Sequence, residues 1–132
     1  MAQYEDFSID AGTDVTIRLE LFNPDGSRKI LNMADSAGNG IVPMFLVKAQ
    51  AKKSFTSTDS DDIITFTTTT FQPGNEENIA QISLSNLQTM SMKKGRWVYD
   101  VELHARDSDQ NIISIERILE GKLTINQNVT TI

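Results

Sequence analysis

The sequence predicts an all-β fold, a single β-sandwich of about eight antiparallel strands with one short helical turn. Apolar and polar residues alternate with a period of two through most of the apolar segments, which is typical of half-buried strands. Short turn signals rich in Gly, Pro, Asn and Asp separate these segments. Many short strands divided in this way within one domain favour a sandwich.

The alternation is clear in residues 13–22, where Val15, Ile17 and Leu19 alternate with polar side chains. The sequence Asn-Pro-Asp-Gly at 23–26 ends this strand, because Pro presets φ for a turn and Gly accepts the positive φ that closes it. Small polar residues predict loops at 34–40, 55–62 and 72–78. Further strands are predicted at 29–31, 44–53, 63–71, 79–84, 96–105, 112–119 and 122–125.

The only helical signal lies in residues 85–90, where Ser85 is suited to cap a single turn. Gly95 then opens the longest strand, and the return strand contains Gly121, which predicts a β-bulge. We predict one domain over residues 1–132, with an ordered core at about 4–125. Residues 126–132 are expected to form an exposed tail.

The composition excludes several classes of protein. Hydrophobic residues make up 39% of the 132 residues, charged residues make up 23%, and no apolar run approaches the length of a membrane span. The net charge of −6 disfavours binding to a phosphate backbone. The chain has no Cys and begins without a signal-peptide pattern, which agrees with synthesis in a reducing cytoplasm. We therefore expect neither nucleic acid nor membrane as a partner.

Two acidic segments are candidates for a metal site. Residues 107–111 read D-S-D-Q-N, like the start of a calcium loop, but the Gly and Glu that such a loop needs at positions six and twelve are replaced by Ile112 and Ile118. A plain hairpin turn is favoured there over a weak surface cation site. The cluster Asp59, Asp61 and Asp62 has two similar interpretations, a solvated loop or a weak surface cation site, and the solvated loop is favoured. No metal and no cofactor are predicted.

Catalysis has little support from the sequence. His104 is the one side chain that titrates near neutral pH unaided, and Ser108 and Ser114 are the nearby hydroxyl groups. A triad also needs a third group that orients the base and an oxyanion hole, and none of the familiar nucleophile, phosphate-loop or zinc motifs occurs. We predict that the protein is not an enzyme.

The aromatic residues of the longest strand have two interpretations. Trp97 and Tyr99 share the apolar phase of the strand, so they either fill the core or form a platform for carbohydrate; core filling is favoured. A second group of apolar residues occupies the opposite phase, and a convergence of such residues marks a partner surface. Tyr4 and Phe7, near the N-terminus, either belong to the same surface or close one end of the sandwich. The predicted partner-surface residues are Tyr4, Phe7, Phe22, Leu46, Val98 and Ile118.

The order of the segments resembles a family of small β-sandwich proteins in tailed-phage virions. The likeness rests on IDAGTD at 9–14, the polar helical turn at 85–90, GRWVYDV at 95–101 and LEGKLTI at 119–125. It is similar to the amino-terminal domain of phage baseplate upper proteins, and closer to short virion structural proteins of T-even-like phages. The segment 34–43 departs from the pattern by being longer and richer in Gly.

The resemblance implies an immunoglobulin-like β-sandwich, and a non-enzymatic structural protein that joins a symmetric virion assembly in multiple copies. Its partners would be other phage virion proteins. It would be synthesised in the bacterial host cytoplasm and located in the virion, with the tail or baseplate favoured. Two alternatives stay open: a capsid decoration protein on the phage head, and a module that binds carbohydrate on the host surface.

Overall fold

The structure, a computed structural model, describes residues 3–34, 41–43, 45–70, 78–107, 109 and 111–127. It confirms an all-β sandwich, in which one core lies between a six-stranded and a three-stranded sheet. A two-stranded ribbon and two short helical segments complete the described part. No helix within it is long and apolar enough to cross a membrane.

Eleven strands are present in the described residues, three more than the sequence predicts. The strands of the first half are β1 (Gln3–Tyr4), β2 (Phe7–Asp10), β3 (Val15–Glu20), β4 (Asn32–Ala34), β5 (Ile41–Pro43) and β6 (Phe45–Lys52). A 3-10 turn at Ser60–Asp62 leads to β7 (Ile63–Thr65), β8 (Thr67–Thr70), β9 (Ile79–Leu84), α1 (Asn86–Ser91), β10 (Gly95–Arg106) and β11 (Ile112–Asn126).

The larger sheet has the order β1-β11-β10-β6-β7, with β2 also paired to β11. The smaller sheet has the order β3-β9-β8, and β4 pairs with β5. The predicted antiparallel arrangement needs one correction, because β1 and β2 run parallel to β11. Gln3 lies opposite Leu119 and Phe7 opposite Leu123. The N-terminal segment thus adds a parallel edge strand that the sequence pattern did not predict.

The predicted strand 63–71 is two strands that belong to different sheets. β7 pairs with β6 in the larger sheet, whereas β8 pairs with β9 in the smaller one. The chain crosses between the sheets at Phe66, which is buried and donates its N–H to the carbonyl oxygen of Ala49 at 3.0 Å. This crossing places β7 and the Thr-rich β8 on opposite sides of one core.

Two further features differ from the prediction. Residues 29–31 form no strand, and β4 begins at Asn32 instead. The pairing of β10 with β11 continues regularly through Gly121 and shifts instead beside Ile118, so the predicted bulge at Gly121 is wrong. Residues 35–40 of the predicted loop, residues 72–77, and residues 128–132 of the predicted tail lie outside the described residues.

The core is built from alternate residues of the facing strands. Strand β10 contributes four of them, including Trp97 and Tyr99, as its alternation predicted. The buried hydrophobic residues are Ile9, Ala11, Leu31, Val47, Ala49, Ala51, Phe66, Ala80, Ile82, Leu84, Met92, Trp97, Tyr99, Val101, Leu103, Leu119, Leu123 and Ile125.

The short helix α1 confirms the predicted helical turn. Its N-cap, Ser85, accepts the N–H of Gln88, and the Gln88 side chain accepts the Ser85 N–H, forming a capping box. Thr89 is fully buried, donates its hydroxyl to the carbonyl oxygen of Thr13 at 2.8 Å and accepts the N–H of Gly12 at 3.0 Å. These bonds anchor the connection between the two sheets to the turn that precedes β3.

Candidate interaction surface

The β10–β11 hairpin is closed by Asp107. Its Oδ1 accepts the N–H groups of Asp109 and Asn111, both at 2.9 Å, and its own N–H donates to the Asn111 carbonyl oxygen at 3.0 Å. The predicted hairpin turn is confirmed, since these bonds are those by which an Asp side chain stabilises a turn. The position of Ser108 lies outside the described residues.

The second acidic segment is also tied into the fold. Asp62 lies in the 3-10 turn before β7, and its Oδ1 lies 2.6 Å from the Nζ of Lys93. This hydrogen bond raises the pKa of Lys93. Among the described residues, no group of three or more His, Cys, Asp or Glu side chains has an arrangement suited to a metal ion.

Residues 112–117 of β11 form an exposed strand that continues beyond the sandwich. Its three isoleucines are between about half and two-thirds exposed: Ile112 at 51%, Ile113 at 64% and Ile115 at 58%. β10 pairs with one edge of this stretch. Among the described strands none lies along its other edge, because β1 begins opposite Leu119. We call residues 112–117 the isoleucine edge.

Two register shifts determine which residues the hairpin exposes. Val101 lies opposite Leu119 but Glu102 opposite Arg117, so Ile118 is an extra residue in β11. Ile118 is therefore partly buried and packs against the core, which corrects its predicted place on the outer face. A second shift beyond Ala105 makes Ile113 the extra residue near the hairpin end.

The face of the larger sheet that points away from the core contains an open groove of about 570 Å³. Residues of β6, β10 and β11 line most of this groove. Two exposed aromatic side chains also line it, Tyr4 at 56% and Phe55 at 84% exposed. We call this depression the outer groove. Its lining residues are Tyr4, Gln50, Lys52, Phe55, Val98, Tyr99, Asp100, Glu102, Arg117, Glu120, Gly121 and Lys122.

An ion-paired network occupies the floor of the outer groove. The Nε of Arg117 lies 3.3 Å from Oδ2 of Asp100, and its guanidinium donates to Oε2 of Glu120 at 3.1 Å. Burial raises the pKa of Asp100, and the Arg117 charge opposes that rise. Because one guanidinium is shared between two carboxylates, the positions of all three side chains are coupled.

Replacing Arg117 with glutamine is expected to raise the pKa of Asp100 further, because the main charge that favours its ionised form is removed. The folded pKa already lies above the ordinary value of 3.8, so ionisation of Asp100 lowers the stability of the fold as the pH rises through that interval. This loss is expected to grow in the variant. Carboxyl-detected NMR titration measures the pKa directly. Lys93→Gln, which removes the separate ion pair with Asp62, is the control; an unchanged Asp100 pKa in Arg117→Gln would contradict the assignment.

The predicted partner-surface residues divide into separate groups. Tyr4 and Val98 both line the outer groove. Leu46 lies opposite His104 on the same face of the sheet, farther along β6. Phe22 is 53% exposed but forms a bridge with Arg28 in the turn after β3, and it does not line the groove.

Phe7 belongs to the core rather than to a partner surface. It is partly buried, packs against the core cluster, and its ring centroid lies 5.8 Å from that of Tyr99 at an interplanar angle of 51°. The parallel pairing of β2 with β11 produces this burial, because it places Phe7 opposite Leu123. Of the two predicted places of Phe7, this packing fits the end of the sandwich and not the partner surface.

His104 lies on the outer face, as its phase predicted. Its Nε2 is 3.2 Å from Oε1 of Glu102. In the register of the hairpin His104 lies opposite Ile115, whereas Ser114 lies opposite Ala105. Since neighbouring positions point to opposite faces of a sheet, the side chains of Ser114 and His104 do not face each other. This pair therefore provides no nucleophile and base.

Sequence reasoning missed both Phe55 and the three isoleucines of the isoleucine edge. Phe55 stands in a segment that is otherwise polar, which predicted only a connection. In the isoleucine edge the available signal was the run Ile-Ile-Ser-Ile, whose consecutive apolar residues break the period of two. Comparison with protein-family models and with curated proteins found no match to this chain.

Proposed function

We propose that the chain is a non-enzymatic structural protein of a tailed-phage virion, which assembles with other virion proteins in the tail or baseplate. The observation that carries this proposal is the isoleucine edge, an exposed apolar strand on a well-anchored hairpin. The likeness of its sequence segments to small phage virion proteins supplies the biological setting. Multiple copies in a symmetric assembly are part of the proposal.

The isoleucine edge is suited to contact a partner through its backbone and side chains together. An unpaired strand edge offers N–H and C=O groups to which another chain can add a strand. Ile112, Ile113 and Ile115 then provide apolar surface at 51–64% exposure. Full burial of such a side chain contributes about 1.5–3 kcal/mol to the free energy of association. Three of them therefore add substantially to the affinity of even a small interface.

The rest of the hairpin gives this edge a fixed position. Beyond Ile118 the same strand carries Leu119, Leu123 and Ile125, all of which are buried in the core. The edge of β11 that faces away from β10 is hydrogen-bonded to the N-terminal segment. There the N–H of Glu5 donates to the Glu120 carbonyl oxygen at 2.9 Å. A partner bound at the isoleucine edge is therefore held rigidly relative to the sandwich.

Location is tested by immunogold labelling of intact virions with an antibody to this protein. Label at the tail or baseplate is expected. Label spread over the head would replace that location with capsid decoration, the second choice within the same class. The absence of label from both intact and detergent-opened particles would overturn the virion proposal.

Replacing Ile113 with lysine is expected to reduce incorporation into particles at least about tenfold, since a contact loss of about 1.4 kcal/mol suffices for that factor. Folding should change by less than about 0.5 kcal/mol, because the residue is 64% exposed. Incorporation is measured by quantitative mass spectrometry of purified particles, and stability by urea unfolding. Leu87→Lys on α1, a site 79% exposed, is the matched control. Normal incorporation of Ile113→Lys would refute the role of the edge.

A further inference from the structure

We propose that the outer groove binds a short neutral saccharide. This site is separate from the isoleucine edge and goes beyond the assembly role. Its volume of about 570 Å³ lies within the range of small-molecule sites and accommodates about two or three sugar rings. The groove is open along one side, so a ligand within a longer chain fits as well as a free one.

The floor of the groove limits how a ligand can be recognised. Asp100 in β10 lies opposite Gln50 of β6 and opposite Glu120 of β11. β10 is therefore paired on both sides, and its backbone N–H and C=O groups are used within the sheet. A peptide strand cannot add to this floor. Recognition depends on side chains, which favours a ligand that carries its own hydrogen-bonding groups along its length.

The polar lining matches a neutral ligand with hydroxyl groups. Three cationic side chains, Lys52, Arg117 and Lys122, are balanced by three carboxylates, Asp100, Glu102 and Glu120. Ammonium and guanidinium groups only donate hydrogen bonds and carboxylates only accept them, whereas a sugar hydroxyl does both. The carboxylates disfavour phosphate and other anions, and the cations disfavour metal ions and amines.

The network is also positioned before any ligand arrives. Arg117 is held between Asp100 and Glu120 at 3.3 Å and 3.1 Å. Preorganised polar groups lose less side-chain entropy on binding than free ones do. A row of fixed donors and acceptors can therefore distinguish one pattern of hydroxyl groups from another.

The exposed aromatic residues supply the second element of a saccharide site. Tyr4 and Phe55 both line the groove, and both are mostly exposed, Phe55 at 84%. The faces of sugar rings carry C–H groups, which pack on the electron-rich face of an aromatic ring. Trp97 takes no part, because it is only 1% exposed. The groove thus offers two aromatic contacts on either side of a polar floor, the combination that a pyranose needs.

The proposal is tested by NMR titration of the full chain with three neutral probes, maltotriose, cellotriose and tri-N-acetylchitotriose. At least one of these probes is expected to shift backbone signals of groove residues, with a Kd of about 1 mM. Phe55→Ala and Tyr4→Ala are each expected to raise that Kd at least about tenfold. Leu87→Ala, which removes an equally exposed apolar side chain outside the groove, is expected to leave it unchanged.

Two results would overturn the proposal. The first is the absence of groove shifts with all three probes at a concentration about twentyfold above that Kd. The second is binding that persists unchanged in both aromatic variants. Phe55→Ala keeps the test valid if Tyr4→Ala loosens β1, since Phe55 is too exposed to support the fold. A negative result here leaves incorporation of the protein into particles, and therefore the assembly proposal, unaffected.

Discussion

Replacing Trp97 with alanine is expected to lower the free energy of unfolding by about 3–5 kcal/mol. Trp97 is 1% exposed and heads the set of large, fully buried side chains. Its indole N–H donates to the carbonyl oxygen of Lys93 at 2.8 Å. The substitution removes both the packing and this bond, and the expected loss approaches the whole stability of many small domains.

The start of β10 is organised around this indole. Lys53 Nζ lies 6.0 Å from the ring centroid of Trp97 and donates to the carbonyl oxygens of Lys94 and Arg96 at 3.0 and 3.2 Å. Gly95 has a φ of 106°, a conformation that other residues rarely adopt. Loss of the indole therefore removes the surface against which this turn is held.

Urea unfolding measures the effect, with Phe55→Ala as the control. That variant removes an aromatic side chain that is 84% exposed and is expected to change stability by less than about 0.5 kcal/mol. A loss below about 1 kcal/mol in Trp97→Ala would contradict the buried position. The same burial makes Trp97 unsuitable as a carbohydrate platform, the alternative that its sequence position left open.

The alternation of apolar and polar residues predicted correctly which side chains of the long strands β10 and β6 face the core. In β10 and β6 the residues expected to face inward are buried, among them Val101, Leu103, Val47 and Ala49. This success has a simple cause. Each of these strands is paired on both sides in one sheet, so a single regular register governs the whole segment.

The edges of the fold were less predictable, because they depend on contacts between distant segments. β1 and β2 are short, and the order of their apolar and polar residues does not predict their parallel pairing with β11. This pairing brings the backbone of Glu5 so close to Gly121 that a side chain there would clash with it. The crossing at Phe66 has no breaker residue to mark it. A pattern of apolar residues does not say to which sheet a strand belongs.

The candidate surfaces were only partly predictable for a related reason. Assigning Ile118 to the outer face assumes unbroken alternation, and one inserted residue reverses every assignment that follows it. Val98 lies on the outer face, as its phase predicted, and it shares the outer groove with Tyr4. The groove is also lined by Phe55, which comes from a connection with no regular pattern. Residues that converge from a loop, an edge and a central strand leave no shared signal in the sequence.

Replacing Gly121 with alanine is expected to detach the N-terminal segment from β11. A Cβ at this position would lie 1.8 Å from the carbonyl oxygen of Glu5 and 2.7 Å from its carbonyl carbon. Both are backbone atoms, so the clash cannot be relieved by a change of rotamer. Overpacking of this kind costs about 1–3 kcal/mol, and the bonds that hold the segment are lost in addition.

Those bonds surround Gly121: two involve its neighbours Glu120 and Lys122, and the third involves Tyr99, which lies opposite it in β10. Tyr99 donates its hydroxyl to the Glu5 carbonyl oxygen at 2.6 Å, Glu5 donates its N–H to Glu120 at 2.9 Å, and Asp6 Oδ1 accepts the N–H of Lys122 at 2.9 Å. The buried hydroxyl of Tyr99 loses its acceptor when the segment moves, which adds a cost of about 1–3 kcal/mol. Displacement is therefore expected to be cooperative over the whole of β1.

Amide hydrogen exchange distinguishes this local detachment from general loss of stability. In Gly121→Ala, protection of the Glu5 and Lys122 amides is expected to collapse before that of Val101 in the core. Gly26→Asn is the matched control, because Gly26 has open space around it and a φ of 91°, which Asn tolerates. Retained protection at Glu5 would show that the backbone accommodates the methyl group. Loss of protection would also remove Tyr4 from the outer groove, so saccharide affinity and N-terminal docking should fall together in this variant.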